Sequence, residues 1–280
     1  MDVERLEALY SAGPWPEDPR DPRAARRFHA YVEALTRLLA RLEEIGAELP
    51  RLVRVLDAAA GTGVGGAAAA CALERLGRRV ELHLLDLRAS RLRLVDEWLR
   101  AAGCHAPWSA VAADALQAHR LLRPVYHLVL VTGSTMTHFA PWDAARLIAA
   151  LSRLQEPRGA LIITQRDNAA WYLMRGGYPE LSVAGVEPRG NGVLVAVHGG
   201  YDPVRGSIRT IYYRLPGGEH IATTELHPWF VSSLATLANI FYRRVYVEPA
   251  PPNAETIIAA LEPRRGTPSP EELGEGPTRL

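Results

Sequence analysis

Apolar, β-branched runs recur through the first half of the chain: Leu52 to Leu56, Val80 to Leu85, Trp108 to Ala112, His127 to Val131 and Ala160 to Thr164. Between them, Leu92 to Ala102 and Trp142 to Leu154 place apolar residues at three- and four-residue steps, the spacing of one helix face. Strands alternating with helices signal βαβ units and a parallel sheet, with helices covering both faces. A long amphipathic helix, Ala24 to Ile45, precedes the first strand.

After Thr164 the rhythm changes to alternating runs punctuated by Gly and Pro: Gly192 to His198, Ser207 to Tyr213 and Ile221 to Leu226. Turns at Asp202-Pro203 and Pro216-Gly217-Gly218 make these antiparallel strands, expected as a cap inserted into the parallel domain. A helical stretch, Phe230 to Asn239, leads to Arg244 to Glu248 and Glu255 to Leu261, which can close the sheet as an antiparallel pair. The expected organisation is an N-terminal helical lid over 1–50, a core of 51–167 and 227–263, a substrate cap over 168–226 and a mobile, Pro- and Gly-rich tail over 264–280. There is no internal repeat.

At 280 residues, 48% hydrophobic and 22% charged, the chain can bury one large core with an elaborated cap and is not disordered overall. A net charge of +1 lacks the basic field that long nucleic acids demand, which disfavours an RNA or DNA substrate. All 32 basic residues are Arg, and Asn and Gln are scarce, a usage that fits a GC-rich genome or a hot environment. The longest low-charge stretch, Val55 to Leu73, carries Asp57 and several glycines and makes a poor membrane span. Acids at the N-terminus with no apolar signal core point to a cytoplasmic protein. Cys71 and Cys104 are too few and too far apart for a zinc site and are expected as buried free thiols. Composition leaves a homo-oligomer open.

The sharpest local signal is Val55-Leu56-Asp57-Ala58-Ala59-Ala60-Gly61-Thr62-Gly63-Val64-Gly65-Gly66, at the end of the first strand and the start of a helix. Glycines there let backbone approach a ligand without a side-chain clash. Gly61-x-Gly63-x-x-Gly66 alone also satisfies the dinucleotide fingerprint, with Asp86 about where a ribose-binding acid belongs. Asp57 separates the two readings: a pyrophosphate repels a carboxylate at the strand end, whereas the ammonium of a methionine moiety attracts one. Two more acids end the next strands, in Leu84-Leu85-Asp86-Leu87 and Ala112-Ala113-Asp114-Ala115. Asp86 can accept from both hydroxyls of a ribose, and Asp114 from an adenine amino group.

On these motifs the sequence resembles class I S-adenosylmethionine-dependent methyltransferases from Val53 to Pro263. The resemblance implies a doubly wound α/β fold, with a seven-stranded, mostly parallel sheet ending in an antiparallel hairpin. It implies S-adenosyl-L-methionine as cofactor, held around Asp57, Ala59, Gly61, Gly63, Asp86, Leu87, Asp114, Ala115 and Thr132. Within the family the chain looks most like the glycine and sarcosine N-methyltransferases, through Val131 to Phe139, Ile162 to Asn168 and Leu226 to Phe230. It departs from them at Ser134, where they carry Asn, and at Arg166-Asp167-Asn168, where they carry Arg-Asn-Tyr. No Asn/Asp-Pro-Pro-Tyr signature follows the fourth strand, which argues against methylation of bases or glutamine amides.

The implied reaction is methyl transfer to a small molecule, with an amine nitrogen as the leading acceptor. An O-methyltransferase, an RNA methyltransferase and a non-catalytic cofactor-binding regulator are the alternatives. Arg166, just past the fifth strand, could hold a carboxylate bidentately or pair with Asp167. His138 could accept a proton or cap the following helix, and Ser134 and Thr135 could donate to substrate or close a turn. Tyr212, Tyr213, His227 and Trp229 could surround a cation or pack as a core. Arg20, Arg23, Arg26 and Arg27 read as a solvated face, although the resemblance implies that an N-terminal Arg holds the cofactor carboxylate. No metal-binding cluster is visible.

Overall fold

The computed structural model describes residues 3–11, 17–47, 49–123, 125–174, 180–186, 192–250 and 254–277. The N-terminal region contains helices α1 (Val3–Ser11) and α2 (Pro22–Glu44). Next come β1 (Leu52–Ala58), α3 (Val64–Arg75), β2 (Arg79–Asp86), α4 (Ala89–Leu92), α5 (Val95–Ala101), β3 (Trp108–Ala112), α6 (Ala118–Leu121), β4 (Tyr126–Val131), α7 (Pro141–Arg153) and β5 (Gln155–Gln165). After α8 (Asn168–Met174) stand four cap strands, β6 (Leu181–Val186), β7 (Val193–Asp202), β8 (Ser207–Leu215) and β9 (Glu219–Leu226). The chain ends with α9 (Val231–Phe241), β10 (Tyr242–Glu248), β11 (Thr256–Pro263) and α10 (Pro270–Leu273).

Seven strands form one sheet in the order β10-β11-β5-β4-β1-β2-β3, and β6-β7-β8-β9 form a second, antiparallel sheet. Only β11 runs against its neighbours in the large sheet. From β1 the chain winds outward to β2 and β3, then returns to β4 on the other side of β1. That reversal opens a crevice at the carboxyl ends of β1 and β4, the place where doubly wound sheets bind ligands.

One face of the sheet is covered by α3, and α3 in turn by α2. Residues Val64 to Leu73 of α3 are all buried. A Cβ on Gly65 would come within 2.0 Å of Thr132 Oγ1, so the small residues let this helix lie close against the strand ends. Helix α2 starts at Pro22 after an Asp21 N-cap and buries Ala24, Phe28, Val32, Leu35, Leu38, Leu39 and Leu42. Each larger apolar side chain among them contributes on the order of 1.5–3 kcal/mol by leaving water.

The cap leaves the core at α8 and rejoins it before α9. There the Ala169 N–H donates to the Trp229 carbonyl at 3.2 Å, so the two crossing points touch. The sequence pattern predicts three cap strands, and the structure has a fourth, β6. Its alternation is interrupted at Gly185, where the register with β7 shifts, and it lies at the sheet edge with Leu181 and Val183 exposed.

Cys71 and Cys104 are corrected: expected as free thiols, they form a disulfide with Cα atoms 5.5 Å apart. Cys71 lies on α3 and Cys104 just past α5, two elements that pack together, and sequence separation hides that proximity. The tail, expected to be mobile, carries α10, started by a Ser269–Glu272 capping box. Trp142 Nε1 donates to the Leu273 carbonyl at 3.1 Å and Arg120 pairs with Glu271 at 2.7 Å, docking this turn beside α6 and α7. Among the described residues no helix is long and apolar enough to cross a membrane.

Candidate active site

Beyond β1 the backbone winds through left-handed conformations at alternate residues: Ala59 at φ +56°, Gly61 at +59° and Gly63 at +78°. For Ala59, which carries a Cβ, that conformation costs about 1–2 kcal/mol. Hydrogen bonds hold the loop, from Ala60 N–H to the Leu85 carbonyl (3.0 Å) and from Gly63 N–H to the Ala60 carbonyl (2.8 Å). Gly61 N–H donates to Asp86 Oδ2 at 2.7 Å, and Asp86 Oδ1 accepts from Arg88 N–H at 2.8 Å. Asp86 therefore both fixes the loop and faces the crevice.

A cavity of about 1270 Å³ occupies the crevice. Ala59 and Gly61 from the β1 loop, Asp86 and Leu87 after β2, and Asp114 and Ala115 after β3 line it. Thr132, Ser134 and His138 after β4, and Arg166 after β5, complete the set of expected residues on its wall. Two expected residues stand elsewhere. Gly63 is packed under the loop, where a Cβ would meet Val95 at 3.0 Å. Asp57 is fully buried, turned away from the cavity, with Oδ2 accepting from Gly66 N–H at 2.7 Å at the start of α3.

Burial pushes the Asp57 carboxyl up to about 7, against the pull of the Gly66 N–H and with help from the Asp86 charge. A raised carboxyl favours the fold when protonated; this contribution is complete below the unfolded value of 3.8 and is lost as pH rises through 7. Asp57→Asn keeps an acceptor for Gly66 without an ionisable group. The variant should match the wild type near pH 4 and exceed its stability at pH 8 by a few kcal/mol, on the order of what such a shift carries. Urea unfolding at the two pH values checks this, and an equal difference at both would sink it.

His138 is partly buried beneath α1, with Nε2 3.3 Å from the Tyr10 hydroxyl and Nδ1 without a partner among the described residues. Burial, followed by the Arg88 charge, lowers its pKa to about 4, so the imidazole is neutral at pH 7. Asp114 caps the turn that follows it, accepting from Leu116 N–H at 2.9 Å.

Several wall residues lay outside the sequence expectation. Arg88 is nearly inaccessible, gripped by Glu17 through two 3.1 Å hydrogen bonds and stacked 4.0 Å over the Tyr10 ring. Tyr10 and Glu17 thereby meet at Arg88 on the cavity wall, with α1 beside cap strand β9. Of the four N-terminal arginines, Arg20 pairs with Glu97 and Arg23 with Asp21, Arg26 is exposed, and Arg27 lines the cavity with Nε unpartnered among the described residues.

A hydroxyl network surrounds Glu255, also on the wall. Ser134 Oγ donates to its Oε1 at 3.1 Å, while Thr164 Oγ1 (2.6 Å) and the Tyr31 hydroxyl donate to its Oε2. Position alone gave no signal for Glu255, because its partners come from α2, the turn after β4, and β5.

The aromatic set does not converge. Tyr212 packs in the cap core with Leu194 and Ala222, Tyr213 stacks edge-on with His220, and Trp229 is buried with Nε1 donating to the Met136 carbonyl at 2.9 Å. Of the four, His227 alone lines the cavity. Among the described residues no group of three His, Cys, Asp or Glu is placed to hold a metal ion.

Compared by sequence, the chain matches no family profile and no curated protein. Its fold matches solved structures. The PH0226 protein from Pyrococcus horikoshii superposes with a TM-score of 0.60 at 16% identity, over 91% of this chain and 98% of that one. An S-adenosylmethionine-dependent methyltransferase from Clostridium acetobutylicum gives 0.57 at 10% identity, over 93% and 96%. The CcbJ methyltransferase from Streptomyces caelestis gives 0.55 at 16%, over 89% and 99%. The chain therefore has the class I methyltransferase fold, a mostly parallel seven-stranded sheet with a separate antiparallel one.

Proposed function

We propose that this protein transfers a methyl group from S-adenosylmethionine to a small molecule, with an amine nitrogen as acceptor. The observation that carries the reading is the cavity: its wall joins the left-handed loop after β1, Asp86 and Asp114 at successive strand ends, and a cap on the far side. Its 1270 Å³ exceeds the roughly 300–1,000 Å³ of a pocket for one drug-sized ligand, which leaves room for cofactor and acceptor together. The residues present fit the cofactor. Asp86 retains acceptor capacity for ribose hydroxyls beyond its two N–H partners, Asp114 and Ala115 would face the adenine, and Thr132 and the Ala59–Gly61 backbone the methionine end. Arg27, with its unpartnered Nε, is the N-terminal arginine suited to the cofactor carboxylate.

When bound, S-adenosylmethionine supplies an already activated methyl group, so the protein's work is alignment and exclusion of water. Tyr10, Glu17 and cap strands β8 and β9 form a wall that would hold water off the acceptor. The neutral imidazole of His138 can take a proton from the acceptor, and Ser134 and Arg166 can orient it. The same neutral imidazole would serve a hydroxyl, which keeps O-methylation as a second reading. Incubation of amines, amino acids and hydroxylated metabolites with methyl-labelled cofactor separates these: labelled products should concentrate among the amines. Labelled hydroxyl products alone would overturn the amine assignment, and absence of both cofactor binding and product would overturn methyl transfer.

The resemblance to the glycine and sarcosine enzymes further suggests that Arg166 anchors an acceptor carboxylate. Its side chain is exposed to the cavity while its N–H donates to Ser134 Oγ at 3.0 Å. Arg166→Lys keeps the charge but loses the planar fork, so KM for an amino-acid acceptor should rise about tenfold with the cofactor Kd unchanged. Equal wild-type turnover of that acceptor and its decarboxylated analogue would remove the carboxylate anchor.

A further inference from the structure

The cofactor's methionine end is a zwitterion, and Arg27 accounts for its carboxylate only. The sequence motif assigns the ammonium to Asp57, yet Asp57 is sealed behind the loop. Glu255 lies on the cavity wall instead, just before β11 and near the end of β5.

Proton directions around Glu255 are fixed. Ser134 Oγ accepts from Arg166 N–H, so its own proton goes to Glu255 Oε1. Thr164 Oγ1 accepts from Gly133 N–H at 2.9 Å, so its proton goes to Oε2. Tyr31, held protonated by burial and by the Glu255 charge, gives its proton to Oε2 as well. Three hydroxyl donors converge on Glu255 and no described neighbour accepts from it, the surroundings that suit a carboxylate. Such a group offers about four acceptor sites; Oε2 uses two and Oε1 one, which leaves a single site on Oε1.

Among the described residues no Arg or His nitrogen lies within 4.0 Å of this carboxylate. Arg27, one helical turn before Tyr31 on α2, is on the same wall but does not pair with it. The scaffold thus keeps a cation and an anion apart on one surface, each with hydrogen-bonding capacity unspent, and an α-amino acid has the complementary pair of charges.

We propose that Glu255 is the ammonium anchor of the cofactor, its open Oε1 site accepting an N–H from the methionine α-ammonium while Arg27 takes the carboxylate. This rests on the cofactor reading above. The test is calorimetric titration of the full chain with S-adenosylhomocysteine, its deaminated analogue, and 5′-methylthioadenosine, which lacks the amino-acid group. In Glu255→Gln, affinity for S-adenosylhomocysteine should fall 10- to 100-fold, the range of a hydrogen bond to a charged group, and affinity for methylthioadenosine should stay within twofold. Removing the ligand's amine should cost a similar factor in the wild type and little in the variant. Glu255→Asp retains the charge at a shorter reach and should lie between; it carries the comparison if the Gln variant fails to fold. Unchanged S-adenosylhomocysteine affinity in a folded variant, or equal losses for all three ligands, would overturn the proposal. A wild type that binds none of them would overturn the cofactor reading itself.

Discussion

Gly61→Val should abolish measurable binding of S-adenosylmethionine, with affinity down more than about 100-fold, while leaving a folded protein. Gly61 sits at φ +59°, where a β-branched side chain is strained by roughly 1–3 kcal/mol. Its new Cβ would lie 3.0 Å from the Arg88 guanidinium, and relieving either contact shifts the N–H that Asp86 accepts at 2.7 Å. Loop shape, Asp86 orientation and cavity wall would change together, which is why the loss on the ligand should exceed the loss of stability. Calorimetry and thermal unfolding monitored by circular dichroism measure both. Gly61→Ala, without the branch, should lose less on each. A folded Val variant that binds within a few-fold of wild type would move the cofactor away from this loop.

Removing the Cys71–Cys104 bond should have the largest effect on stability. The bridge spans 33 residues containing β2, α4 and α5, and constraining a loop of that length in the unfolded chain contributes about 3–4 kcal/mol. For a chain of this size that corresponds to a fall in Tm of roughly 10 °C. The Cys71→Ala/Cys104→Ala double variant and the reduced wild type should show it alike, and reductant should have no further effect on the variant. Cofactor affinity should be unchanged, since neither cysteine touches the cavity. A reduced wild type that melts at the oxidised temperature would show the bond to be energetically idle.

What could be read from sequence was local. The strand runs, the glycine loop, Asp86 and Asp114 declare themselves because a strand end and the turn after it are contiguous in the chain. The same locality does not tell where Asp57 points: it stands at the expected motif position, but its side chain turns onto the start of α3. Glu255, Tyr31 and Thr164 meet only after the sheet has folded β11 against β5 and laid α2 nearby, and no spacing in the chain encodes that meeting. Tyr10 and Glu17 were illegible for the same reason, since their partners His138 and Arg88 lie far along the chain. Cys71 and Cys104 follow suit: a count of two cannot say whether helix packing will join them.

The hydrogen bond between Ala169 and Trp229 bears on how the inserted sheet could vary while the core stays fixed. Because the exit and re-entry points of the insertion already touch, the core needs no length or shape from the segment between them. A long excursion with apposed ends carries only a weakly length-dependent closure entropy. Strands can therefore be lengthened, shortened or recombined in the cap while β1, β2 and the glycine loop keep their register. The insertion is thereby a separable module, open to exchange by a laboratory graft at these two residues without a change in the parallel sheet.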